Sequence, residues 1–207
     1  MRIVLIGPPA VGKGTQAKIL AARYGIPHIS TGDMLRDEQA SGSALGRKIA
    51  DMINGGGFVT DEMMMGMLSA RLQQPDCENG FILDGFPRTL PQAEALDVLL
   101  RNKDLKLDAA IAFAADNETL FKRMRQRSAG QDGAARADDT EEALLRRIKL
   151  YTELTASTFY YYVEQDLLHT VDAAQSIADV DAQVRAILPA PSAPRILEVK
   201  PRGNTCD

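Results

Sequence analysis

An unbroken apolar run, Ile3-Val4-Leu5-Ile6, opens the chain and ends in Gly7, after which apolar residues return at helical spacing. Short continuous apolar runs bounded by turn residues predict buried strands, and recurrence every three or four residues predicts helices. Five strands follow from this pattern: Arg2–Gly7, Pro27–Ser30, Phe81–Leu83, Ala109–Ala114 and Leu167–Val171. Between them helices are predicted over about 13–24 and near 90–103, 117–127, 140–165 and 176–188. Two shorter helical patterns lie within 31–57, broken by Ser41-Gly42-Ser43 and by Gly55-Gly56-Gly57. Another helix starts at Thr60-Asp61-Glu62, with Thr60 as its N-cap and acidic residues in its first turn. Strands alternating with helices predict an α/β fold built on a parallel sheet with right-handed crossovers. There is no internal repeat, and the Pro- and Ala-rich stretch from Pro189 onward reads as a flexible tail, 189–207.

The junction after the first strand carries the strongest chemistry. Gly7-Pro8-Pro9-Ala10-Val11-Gly12-Lys13 is a Gly-x-x-x-x-Gly-Lys element between a strand and a helix, the context that a phosphate-binding loop requires. Backbone N–H groups of the turn and the first helical turn point at an anion, and the helix dipole adds positive charge. Lys13 is placed to reach the β/γ-phosphates and Thr15 to face phosphate oxygen or Mg²⁺. Here Gly14 separates the lysine from the threonine, giving Gly-Lys-Gly-Thr.

A second signal follows the third strand, in Phe81-Ile82-Leu83-Asp84-Gly85-Phe86-Pro87-Arg88. The strand delivers Asp84 to the C-terminal edge of the sheet, where a carboxylate can hold Mg²⁺ through its waters. A third is arginine placement. Arg36, Arg88, Arg123, Arg127, Arg136 and Arg147 fall at element ends or in loops that this fold turns toward the phosphate site. Phosphoryl transfer asks for positioning and cations over the transferred charge, and the guanidinium fork suits phosphate oxygens. Arg125 and Arg146 read as surface charges.

Composition narrows the frame without changing it. The chain has 207 residues, 45% hydrophobic and 25% charged, which predicts one globular domain with a sizeable core. A net charge of -4 argues against a general nucleic-acid or membrane-surface binder. No apolar stretch reaches membrane-spanning length, and the N-terminal run lacks a signal-peptide cleavage pattern. Cys77 and Cys206 show no metal-site or redox spacing and read as reduced thiols, which points to the cytoplasm. Met63, Met64, Met65 and Met67 read as core packing of one helix, and Phe159–Tyr162 as core plus flank. His28 reads as a structural histidine, and Cys77 as a thiol in a turn without a basic neighbour.

Several motifs occur in the right order over roughly residues 1–188: Gly7–Thr15, Ser30-Thr31-Gly32-Asp33-Met34-Leu35-Arg36, Asp84-Gly85-Phe86-Pro87-Arg88-Thr89 with Gln92, and Arg136-Ala137-Asp138-Asp139 followed by Arg147. Together they resemble the adenylate kinases. The resemblance implies a three-layer P-loop fold with a five-stranded sheet, a small helical segment over 30–59 for the nucleoside monophosphate, and a lid over 127–137. It implies reversible transfer from Mg·ATP to AMP giving two ADP, by a monomer.

Carried over residue by residue, the resemblance puts ATP on Ala10, Val11, Gly12, Lys13, Gly14 and Thr15, with Arg123 stacked on its adenine and Arg127 on its phosphates. Gln175 matches a position whose backbone carbonyl contacts the donor adenine. AMP would meet Thr31, Gly57, Phe58, Val59, Gly85, Phe86 and Pro87, with Arg36 and Arg88 clamping its phosphate and Gln92 reading the base. Arg136 and Arg147 would close over both phosphates, so that Lys13, Arg88, Arg127, Arg136 and Arg147 form the catalytic set. Between Arg127 and Asp138 stand only ten residues and no cysteine, as in short-lid members, so no structural zinc is expected.

One departure concerns Ala10, where the family commonly has glycine; if the position needs positive φ, alanine costs about 1 kcal/mol. Two other functions fit parts of the pattern. A UMP/CMP-type kinase shares the fold, but Thr31, Thr89 and Gln92 favour adenine. A non-catalytic nucleotide-gated switch is opposed by the arginine set and by the lack of an Asn-Lys-x-Asp motif.

Overall fold

Alternation within β1 (Arg2–Ile6) sets the layering of the molecule. Ile3 and Leu5 enter one apolar cluster, Val4 and Ile6 another on the opposite face. A strand covered on both sides has to be apolar at every position, which is why the run is unbroken. The computed structural model describes residues 1–54, 59–130 and 140–190.

β1 lies at the centre of a five-stranded sheet of order β2-β3-β1-β4-β5, with β2 (His28–Ser30), β3 (Phe81–Asp84), β4 (Ala109–Ala114) and β5 (Leu168–Asp172). Every pairing is parallel. One face is covered by α1 (Lys13–Tyr24), α6 (Asn117–Ser128) and α8 (Ile177–Ile187), through Ala17, Leu20, Leu120, Val180 and Val184. The other is covered by α4 (Asp61–Arg71), α5 (Leu90–Arg101) and α7 (Glu141–Val163), through Met64, Leu68, Ala93, Leu96, Leu100 and Tyr162. The result is the parallel α/β arrangement that the alternating pattern predicts, in the three layers that the resemblance implies. α2 (Thr31–Ala40) and α3 (Ala44–Asn54) pack on each other and form the segment between β2 and α4.

Helix starts are written in side chains. Ser30, Thr60, Thr89, Asp116, Thr140 and Ser176 each accept a hydrogen bond from the N–H three residues on, satisfying a donor that the helix cannot use itself. α1 breaks the rule: its N-cap is Gly12, and no side chain caps it.

The methionine reading holds for Met64, buried in the second cluster, and Met65, packed against it, whereas Met63 and Met67 are half-buried outside both clusters. The aromatic reading holds, with Tyr162 fully buried and Tyr160 72% exposed on the flank of α7. Arg125 and Arg146 do lie on the surface, paired with Glu141 and Glu142. Cys77 requires a correction. It sits in a 3-10 turn, Pro75–Cys77, and a basic neighbour is present: Arg71 Nη1 stands 3.1 Å from its Sγ. Arg71 ends α4 and folds back over the turn, a proximity that six residues of chain separation do not advertise. Burial nonetheless pushes the Cys77 thiol up, against the pull of Arg71. Cys206 lies outside the described residues, as does the tail beyond residue 190.

Candidate active site

The sheet order places the loop after β1 and the end of β3 side by side, because β1 and β3 are neighbours with Leu5 opposite Asp84. Ligands of open α/β sheets bind at this C-terminal edge, where strand order reverses. Residues 7–12 turn from β1 into α1 through two left-handed positions, Ala10 at φ 64 and Gly12 at φ 102. The Thr15 and Gln16 N–H groups both turn onto the Gly12 carbonyl at 3.1 and 3.2 Å. The helix start is free of acidic residues and side-chain caps, so its dipole faces the loop undiluted. Such a terminus is an anion site.

Lys13 folds back over the loop. Its ammonium donates to the carbonyls of Gly7 and Pro8 at 2.7 and 2.9 Å, which holds the charge above the turn. On the donor side Arg123 bridges two segments: Nη1 donates to the Val11 carbonyl at 2.7 Å and Nη2 to the Gln175 carbonyl at 3.2 Å. Arg127, one turn later on α6, lies on the same face and is half-buried. The loop, Arg123 and Gln175 are thus brought together from three distant parts of the chain.

Asp84 ends β3 between Leu5 and Ser30. A Cβ on Gly14 would stand 3.6 Å from its Oδ2, so the carboxylate overlooks the first turn of α1. His28 Nε2 lies 3.4 Å from the same oxygen, both side chains 15% exposed. The structural reading of His28 therefore gains a partner that composition does not indicate.

Gly85 follows at φ 83, and an added Cβ would meet Thr31 Oγ1 at 2.9 Å and Arg88 Nη2 at 3.3 Å. Only glycine suits both the backbone and the crowding there. The Thr31 hydroxyl is buried and donates toward the Asp84 and Gly85 carbonyls at 3.3 and 3.1 Å, so it serves the backbone. Arg88 Nε donates to the Gly85 carbonyl at 2.8 Å. Solvent reaches its guanidinium from the open side of the cleft, but protein atoms crowd the rest. That lost hydration pushes its pKa below the usual arginine range, Arg147 adds in the same direction, and Asp84 opposes. Two guanidiniums and one carboxylate so arranged leave net positive charge over the cleft.

Across this matrix the chain matches the family model described as adenylate kinase over residues 5–167. A relative described as adenylate kinase from Nitrobacter winogradskyi is 47% identical over 191 residues, covering 91% of this chain and 93% of the relative. One from Sinorhizobium medicae is 45% identical, covering 91% of this chain and 100% of its own. The chain belongs to the adenylate kinase family. It is accordingly a nucleoside monophosphate kinase, a phosphotransferase, and the pyrimidine-kinase alternative is not favoured.

In adenylate kinase terms, the structure gathers Ala10–Thr15, Asp84–Arg88, Arg123, Arg127, Arg147 and Gln175 around the sheet edge. Arg36 lies on α2, exposed and paired with Asp33. Val59 packs against the second apolar cluster. Gly57, Phe58 and Arg136 lie outside the described residues, as does most of the lid segment. Phe86 and Pro87 are buried, and the peptide bond between them is cis. Gln92 is buried and its amide is engaged at both ends, by the Arg88 N–H at 2.8 Å and Asp61 at 2.6 Å. In the sequence Asp61 presents itself as no more than a first-turn acid of the helix that Thr60 caps. The only available signal was its place two residues after Val59; the contact itself needs α4 to pack on α5.

Among the described residues no cluster of three metal-ligating side chains occurs. The single carboxylate of Asp84 beside an anion-binding turn nonetheless suits Mg²⁺, which keeps most of its waters and takes the rest of its shell from phosphate. No helix of the described residues is long and apolar enough to cross a membrane.

Proposed function

We infer that the chain transfers a phosphoryl group reversibly between ATP and AMP, giving two ADP. The observation that carries the reading at the site is Arg88, held in an open cleft with Arg147 as a like-charged neighbour and Asp84 opposite. Gathering like charges costs free energy, and a dianionic phosphate entering between them recovers it.

ATP lies on the turn 10–15, its phosphates against the N–H groups of the first turn of α1 and the Lys13 ammonium. Lys13 exchanges the Gly7 and Pro8 carbonyls for phosphate oxygen, a short reach from where it already stands. Arg123 keeps the turn and residue 175 in register for the adenine, and Arg127 meets the phosphates. AMP enters opposite, against 30–59, with its phosphate on Arg36 and Arg88 and its base on Gln92 and the backbone near Val59. An AMP phosphate oxygen attacks the γ-phosphorus as the bond to the β-phosphate oxygen breaks, so one phosphoryl group moves and no proton must. No general base is required, because the attacking oxygen is already anionic at neutral pH. Arg88, Arg127, Arg136 and Arg147 stabilise the charge spread over the group in transit. Asp84 and Thr15 would hold Mg²⁺, whose charge would offset that of the ATP phosphates. Closure of 127–137 excludes the water that would otherwise hydrolyse ATP. We read the protein as a monomer, on the family resemblance, and as cytoplasmic, on the spacing of its cysteines; the cysteine-free lid supports the absence of zinc and the net charge of -4 the absence of a nucleic-acid partner.

The test is a coupled transfer assay with Mg·ATP and each of AMP, GMP, CMP and UMP. Turnover with AMP, reversible from ADP, is expected. Preference for a pyrimidine monophosphate would overturn the base assignment, and ATP binding without any transfer would overturn the reaction.

A further inference from the structure

We propose that Asp61 is a specificity-determining positioning residue, which sets the polarity of the Gln92 amide and thereby the choice of adenine over guanine. The proposal rests on the acceptor-site reading above and deepens it.

Gln92 Nε2 donates to Asp61 Oδ1 at 2.6 Å, while Gln92 Oε1 accepts the Arg88 backbone N–H at 2.8 Å. The other carboxylate oxygen accepts the Thr89 hydroxyl at 3.1 Å, and that hydroxyl in turn accepts the Gln92 N–H at 3.3 Å. A carboxylate can only accept and a backbone N–H can only donate, so neither partner tolerates a flipped amide. With Gln92 only 7% exposed, water cannot stand in for either of them.

A primary amide has two N–H donors and two acceptor lone pairs, and the two contacts engage one of each. One N–H and one lone pair remain, in fixed order. Adenine offers an amino donor beside the N1 acceptor, which matches that order. Guanine offers the O6 acceptor beside an N1–H donor, which matches only the flipped amide. Cytosine has adenine's order of donor and acceptor, so polarity alone does not separate those two bases; ring size does.

Removing the carboxylate strips one of these two constraints and leaves the Arg88 N–H alone against the flipped amide, so turning costs less and the loss falls on guanine discrimination in particular. The experiment compares kcat/KM for AMP, GMP and CMP in the full chain carrying Asp61→Leu or Asp61→Asn, the second keeping the side-chain size in case the first unfolds. Thermal unfolding serves as the folding control. The AMP-to-GMP ratio is expected to fall by at least ~10-fold in Asp61→Leu and by about threefold or more in Asp61→Asn, whose Oδ1 can still accept from Gln92 but whose amide no longer demands it, with the AMP-to-CMP ratio and KM for ATP moving less than about twofold. A parallel fall for all three monophosphates would show a merely structural role and overturn the proposal, as would unchanged ratios. Wild-type protein that fails to use AMP would instead sink the kinase assignment, before any variant is compared.

Discussion

The Arg123 guanidinium closes on the Val11 carbonyl at 2.7 Å, joining positions 112 residues apart in sequence. Its other nitrogen takes the Gln175 carbonyl, so one planar cation ties the phosphate-binding turn to the segment after β5. Both acceptors are backbone groups, which fixes the loop without depending on any neighbouring side chain.

Replacing Arg123 with alanine removes that tie and a cation from the donor side only. The expected result is a rise of about tenfold in KM for ATP, with KM for AMP within about twofold of wild type. Initial-rate kinetics with each substrate varied in turn will check it. Equal changes for both substrates would contradict a donor-side role.

Ala10 sits at φ 64, so the condition attached to it in the sequence is met and the strain is present. Ala10→Gly should raise stability by about 1 kcal/mol, since glycine adopts this region without steric cost. Urea unfolding of the two proteins side by side measures the difference. A less stable glycine variant would mean that unfolded-state entropy outweighs the relieved strain.

Asp84 places a carboxylate beside the first turn of α1. Asp84→Asn should raise the Mg²⁺ concentration needed for half-maximal turnover by about tenfold or more, because one charged ligand to the hydrated ion is lost. A magnesium titration at saturating nucleotide, with chelator as the zero point, tests this. An unchanged magnesium midpoint would move the metal role elsewhere.

Asp181 of α8 receives Arg23 of α1 through both oxygens, at 2.5 and 2.8 Å, and Arg185 at 3.1 Å. The hydrogen bond from Arg23 holds its carboxyl below the usual carboxylate range, against a smaller opposing effect of burial. A folded-state pKa below the unfolded one stabilises the protein above the unfolded value, about 3.9, and the benefit is lost as pH falls through the folded value. Asp181→Asn should therefore cost about 1 kcal/mol near pH 7, a figure already reduced for the partial exposure of Arg23. The gap from wild type should stay constant down to about pH 5 and close below about pH 4. Denaturant melts across that range will show whether it does; a gap that widens on acidification would refute the linkage.

What the sequence determined by itself was local. Ile3–Ile6 reads as a doubly covered strand because every position is apolar, and Thr60 and the glycine-rich turn announce helix starts through short-range chemistry. The strands and helices accordingly appear within a residue or two of their predicted ends. The turn 7–15 was legible because its ligand is bound by backbone groups whose geometry glycine spacing encodes. Tertiary structure alone decided which distant groups meet. His28 reaches Asp84 only because β2 and β3 are neighbours in register, Arg71 reaches Cys77 only because α4 folds back, and Asp61 reaches Gln92 only because α4 packs on α5. Propensity and periodicity report what a residue does within its own few turns of chain. Contacts between elements depend on sheet order and packing, and no local pattern carries that information.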